Sequence, residues 1–98
     1  MEMSAAEMDE IVTKRRDFLA ELSAEPATKP ELVDRLDTSR STVDRAIDDL
    51  AAYDLVHRPA DRYQLTMAGK IAFERHQSYL EDLEAAHEAN GVLASLPP

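Results

Sequence analysis

The sequence predicts a mainly α fold with a small β-hairpin and a long C-terminal helix. Three observations predict it. Residues 28–50 read as two short amphipathic helices around a tight turn, residues 55–65 show strand-like alternation, and residues 67–89 run as one unbroken helical stretch. At 98 residues the chain makes a single small domain with a modest core.

In chain order, Ser4-Ala5-Ala6-Glu7 has the form of a capping box. It opens a helix along which Met8, Ile11, Val12, Arg15, Phe18, Leu19 and Leu22 follow the 3.6-residue period. Ser23 to Ala27, with Pro26, ends that helix. Phe18 and Leu22 are expected in the core, and the rest of the helix is open to a dimer contact. Lys14-Arg15-Arg16 could touch phosphate, but the flanking acids favour a solvated helix face.

Thr28-Lys29-Pro30-Glu31 is a second helix start, with a capping hydroxyl, Glu three residues on, and Pro tolerated in the first turn. Leu32, Val33 and Leu36 share one face, and Asp37-Thr38-Ser39 breaks the helix. Ser39 or Thr38 can cap the next one, whose apolar stripe is Val43, Ala46, Ile47 and Leu50. Ser41, Asp44, Arg45 and Asp48 are left facing out, with Arg40 and Thr42 beside them. A helix, a short turn and a helix polar at its outer start is how a helix-turn-helix presents side chains to the DNA major groove.

Leu55, Tyr63 and Leu65 alternate as a hairpin would, with its tip near Pro59-Ala60-Asp61. Thr66 then caps a helix from Met67 to near Ala89, long for so small a globule at roughly 35 Å. Met67, Ile71 and Ala72 are expected to pack on the core. Further along, Ala72, His76, Tyr79, Leu83, Ala86 and Asn90 recur at steps of four and three, with Leu80 beside them. Such a seam predicts a contact with a second copy of the chain. Asn90-Gly91 is expected to end the helix in the left-handed conformation, leaving an apolar tail.

LVDRLDTSRSTVDRAIDDL followed by AAYDLVHRPADRYQLTMAGKIAFE resembles the winged helix-turn-helix of MarR- and ArsR-like transcriptional regulators, most of all those of halophilic archaea. The resemblance covers roughly residues 11–88, and S-R-S-T-V-D-R-A-I-D-D-L, D-L-V and L-T-x-x-G-K are its most specific parts. Asp37 and Asp54 depart from the family pattern, standing where turn glycines are usual. Asp tolerates the left-handed conformation better than most residues. The resemblance implies a DNA-binding unit over residues 1–65, a dimerisation helix over 66–90 and a tail over 91–98.

It also implies a division of labour. Arg40, Ser41, Asp44 and Arg45 would face base edges, where Arg can bind guanine O6 and N7 together and Asp44 can either accept from cytosine or orient Arg40 or Arg45. Ser39, Thr42 and Lys29, near helix N-termini, suit phosphate oxygens. Arg58 and Arg62, with His57, flank the hairpin tip and would meet the adjoining groove. Ala72, His76, Tyr79, Leu80, Leu83 and Ala86 would join two copies. The implied partners are double-stranded DNA and a second copy of the chain.

A net charge of −9 is unusual for a DNA binder, but it is unevenly placed. Residues 1–27 and 71–98 each carry −4, and residues 28–70 only −1. Three Lys against eight Arg, amid abundant Asp and Glu, suit a protein kept soluble in concentrated salt. With no Cys and three scattered His (57, 76, 87), neither a disulfide framework nor a metal centre is expected. No apolar run reaches the roughly 18 residues of a membrane span, and the acidic N-terminus is unlike a signal peptide. The expectation is a cytoplasmic protein.

The two Gly, at 69 and 91, make no phosphate loop, the acidic pairs diverge around their helices, and Ser39, Ser41 and Thr42 have no neighbouring His. No enzyme activity and no cofactor are expected. The rival to a DNA-binding regulator is a winged-helix module that binds another protein, favoured if Asp44, Asp48 and Asp61 neutralise the cationic strip. A third reading adds an effector pocket between the long helix and the core, though no polar cluster names the ligand.

Overall fold

The computed structural model describes residues 4–95, arranged as α1 (Ala5–Lys14), α2 (Arg16–Ala24), α3 (Lys29–Leu36), α4 (Arg40–Ala52), β1 (Val56–His57), β2 (Gln64–Leu65) and α5 (Met67–Ser95). Helices α3 and α4, followed by the β1–β2 hairpin and a long α5, form a winged helix-turn-helix. The core collects Phe18, Leu19 and Leu22 of α2, Leu32 of α3, the predicted α4 stripe, and Leu55, Val56 and Leu65 around the hairpin. No described helix is long and apolar enough to cross a membrane.

The expected single N-terminal helix is two. It breaks at Arg15 (φ −108°, ψ 22°), whose side chain, only 11% exposed, reaches Asp49 of α4 at 2.8 Å. The break turns α2 so that Phe18, Leu19 and Leu22 face α3 and β2 while Val12 stays against the other side of the core. Arg15 and Arg16 are thus structural rather than a solvated face, with Arg16 donating to Gln77 of α5 at 2.6 Å. At the start of α1, Ser4 accepts from the Glu7 N–H, and the Glu7 carboxylate turns to the Tyr53 hydroxyl at 3.3 Å.

Helices α3 and α4 end by one device. Asp37 (φ 48°) and Asp54 (φ 56°) are left-handed, and each is followed by a 6→1 bond, Thr38 N–H to Val33 C=O and Leu55 N–H to Leu50 C=O. That is a Schellman-type termination with Asp in the usual Gly position. The hairpin pairs Val56 with Leu65 and His57 with Gln64. Beyond it, Tyr63 and Ala27 exchange two backbone bonds of 2.8 and 3.0 Å, an antiparallel bridge that the sequence reading missed by treating Pro26-Ala27 only as a helix end. It fastens the wing to the residue just before the Thr28 cap of α3.

Thr66 caps α5, accepting from the Gly69 N–H and donating to the Asp54 C=O. A Cβ on Gly69 would lie 2.1 Å from the Leu55 carbonyl oxygen, so the helix backbone presses against the β1 entry there. This contact fixes the rotation of α5 and overturns one expectation. Met67 and Ile71 lie about 160° around the helix from Gly69 at 3.6 residues per turn. They are 72% and 52% exposed, and Ala72, Phe73 and His76 face inward instead. The predicted stop at Asn90-Gly91 also fails, since α5 continues to Ser95. A lone Gly costs a helix only about 1 kcal/mol when the residues around it remain helix-competent. Residues 1–3 and 96–98, the latter part of the expected tail, lie outside the described residues.

Candidate nucleic-acid interface

The surface opposite the core face of α4 is assembled from three places in the chain. Thr28 caps α3 with a complete capping box: its hydroxyl accepts from the Glu31 N–H, and the Glu31 carboxylate accepts from the Thr28 N–H. Ser39 caps α4 by accepting from the Thr42 N–H. Its hydroxyl also lies 2.9 Å from that of Thr42 and 3.2 Å from that of Ser41, a compact group of hydroxyls at the open end of the helix. Beneath them Val43, Ala46, Ile47 and Leu50 are buried, which fixes the helix in place.

Asp44 gathers cations from both helices. Its Oδ1 lies 2.9 Å from Lys29 Nζ and 3.2 Å from Arg40 Nε. These two cations, Lys29 first, hold its carboxyl below the usual range. Asp44 pairs with Arg40 and not with Arg45. Arg45 is exposed, and its Nε donates to the Ser41 carbonyl at 3.4 Å. Among the described residues it makes no ion pair.

In the wing, Arg58 lies 5.3 Å from the centre of the Tyr63 ring, and Lys29 lies 5.9 Å from the same ring. Arg62 hydrogen-bonds Glu31. The other Glu31 oxygen accepts from Arg35 at 3.0 Å, and Arg35 also reaches Glu25 at 2.8 Å. Arg62, then the Thr28 backbone and hydroxyl, draw the Glu31 carboxyl from 4.5 down to about 2. Glu31 in turn raises the already high Arg62. His57 is exposed on β1.

The structure therefore brings Lys29, Ser39, Arg40, Ser41, Thr42 and Asp44 together, leaves Arg45 one turn along α4 from Ser41, sets Arg58 over the Tyr63 ring within the wing, and ties Arg62 to α3. The sequence reading missed the parts of Tyr63 and Glu31 in this. The i, i+4 pair of Glu31 with Arg35 was visible in the sequence. The link to Arg62 was not, because it depends on the Ala27–Tyr63 bridge.

The expected seam on α5 divides. Ala72 packs against the core, and His76 is buried with one ring nitrogen 3.4 Å from the Thr13 hydroxyl of α1, so these two serve contacts within the chain. Helix α1 folds back over this part of α5. Leu80 is half-buried, while Tyr79 and Leu83 are 58% and 49% exposed and Ala86 is open to solvent.

The family model describing the HVO_A0261 N-terminal domain matches residues 4–88. Among solved structures, the adhesin competence repressor (AdcR) from Streptococcus pyogenes is similar with a TM-score of 0.58 over 85% of this chain, at 21% identity. That match spans 66% of the repressor chain. No curated protein matches the sequence.

Proposed function

The chain belongs to the HVO_A0261 N-terminal domain family, and from that premise we propose that it is a dimeric, sequence-specific transcription regulator that binds double-stranded DNA. We place it with the MarR/ArsR-like regulators of halophilic archaea, working in a salt-rich cytoplasm. The observation that carries the reading is Arg45: it stands on the outer face of α4, exposed and, among the described residues, without a carboxylate partner, while Val43, Ile47 and Leu50 anchor that helix from beneath. The fold shared with a protein named a repressor agrees with this assignment.

In this reading Arg40, Ser41, Asp44 and Arg45 face base edges in the major groove. Ser39, Thr42 and Lys29 hold phosphate, and His57, Arg58 and Arg62 lie along the neighbouring groove. Two copies joined through Tyr79, Leu80, Leu83 and Ala86 would set their α4 helices on half-sites about 34 Å apart. Binding measured against the DNA upstream of its own gene and against a scrambled duplex tests the assignment. Arg45→Ala should erase about 1–3 kcal/mol of discrimination between the two, whereas Arg62→Ala should weaken both alike. If neither change has its effect, the assignment fails.

A second reading, a winged-helix module for a protein partner, draws on the mixed charge of the same face, where Asp44 and Glu31 already occupy cations. It predicts no binding to any duplex.

A further inference from the structure

Resting on the DNA-binding reading above, we propose that Glu31 and Asp44 are built-in competitors for the DNA phosphates, which restrain binding and flatten its dependence on salt. Five cations belong to the proposed surface, and these two carboxylates hold three of them. Asp44 holds Lys29, a phosphate contact in that reading, and Arg40, a base-edge contact, through one oxygen, and Glu31 holds the wing's Arg62, so Lys29 and Arg62 are the cations contested with phosphate. Arg45 and Arg58 are the two that no carboxylate holds among the described residues.

The placement is specific. Glu31 is the third residue of its helix and serves its capping box, so it is fixed by the backbone rather than free to swing. Asp44 sits one turn along α4 from Arg40 and across from the first residue of α3. Each carboxylate thus joins two separate elements of the surface, the wing to α3 in one case and α3 to α4 in the other.

The consequence follows from counterion release. A cation that meets phosphate expels a condensed counterion from the duplex, giving a slope of about −0.9 in log affinity against log salt per contact. When that cation must first leave a carboxylate, the freed carboxylate recovers a cation from solution, and the net release falls. At molar salt the Debye length is only about 3 Å, so long-range attraction has vanished while pairs in contact persist. Binding then becomes an exchange of carboxylate for phosphate at contact distance.

Neutral, nearly isosteric variants test this. Glu31→Gln keeps an oxygen for the capping box, and Asp44→Asn keeps the shape of a half-buried side chain. Asp34→Asn, on the same helix as Glu31 and outside the ion pairs, is the charge-matched control. Affinity for the upstream duplex and for a scrambled one is measured by fluorescence anisotropy across the salt range in which thermal melts show each variant folded. Each of E31Q and D44N should steepen the slope by about 0.9, an extra loss of about 3.5-fold over a fourfold rise in salt. Each should also tighten the scrambled and upstream duplexes alike, since phosphate contacts carry no sequence information, with D34N near wild type. Should E31Q not fold, D44N decides alone. Wild-type binding with unchanged slopes in E31Q and D44N overturns the competitor role and leaves the DNA reading standing. Failure of wild type and variants to bind any duplex overturns both.

Discussion

Gly69 governs more of this molecule than its size suggests. Its α-carbon passes so close to the Leu55 carbonyl that a methyl group would overlap it at 2.1 Å, and backbone cannot step aside as a side chain can. Gly69→Ala should therefore destabilise the fold by about 1–3 kcal/mol, the usual range for overpacking, read as a lowered midpoint in denaturant titration. Glu31 offers a second residue-level test. Its carboxyl is depressed from 4.5 to about 2 by Arg62 and the Thr28 groups, so the charged form is the one the fold favours. That contribution is complete above about pH 4.5 and is lost as pH falls toward 2. Because the side chain is partly exposed, the effect is small. Thermal melts between pH 6 and pH 3 should show a shallower fall in stability for Glu31→Gln than for wild type. Equal slopes would deny the linkage.

At the level of elements, the parts that were legible in the sequence are those defined by neighbours in the chain. Thr28 with Glu31 and Ser39 with Thr42 gave the starts of α3 and α4, and Asp37 and Asp54 mark their left-handed ends. Thr28→Ala should cost about 1 kcal/mol through loss of that cap, again by denaturant titration. The wing was legible as a hairpin through Leu55 and Leu65, but not its bridge to Ala27, since two residues carry no strand period. The break at Arg15 was hidden because the apolar spacing runs through it unchanged, and only the ion pair with Asp49 marks it. The rotation of α5 was misjudged at Met67 and Ile71 because apolar residues were assumed to face the core. The Gly69 contact decides otherwise. In the candidate site, the identities of the outward residues on α4 were legible from its stripe, while the pairing of Asp44 with Lys29 and of the wing's Arg62 with Glu31 required the tertiary packing.

For the whole molecule, α5 gives a body 60 Å long and 21 Å thin, and residues 81–90 of that helix are exposed all round. Tyr79 and Leu83 continue the inward face of the helix past the end of the core, which is what a second copy would cover. Light scattering in molar salt should report two chains for the wild type and one for Leu83→Asp. A monomeric wild type at high micromolar concentration would contradict the seam. The charge distribution belongs to the same scale: both ends of the sequence repel DNA, and residues 28–70, nearly neutral, are where it would be admitted.

The most direct test of the central claim, that α4 and the wing form one DNA-facing surface, exploits the absence of cysteine. A single cysteine placed at Ser41, Ala60 or Ile71 can carry an iron chelate that cleaves nearby DNA. Probes at Ser41 and Ala60 should cut adjoining stretches of the upstream duplex, and the probe at Ile71 should leave it intact. Cleavage from Ile71 with none from Ser41 would contradict the account.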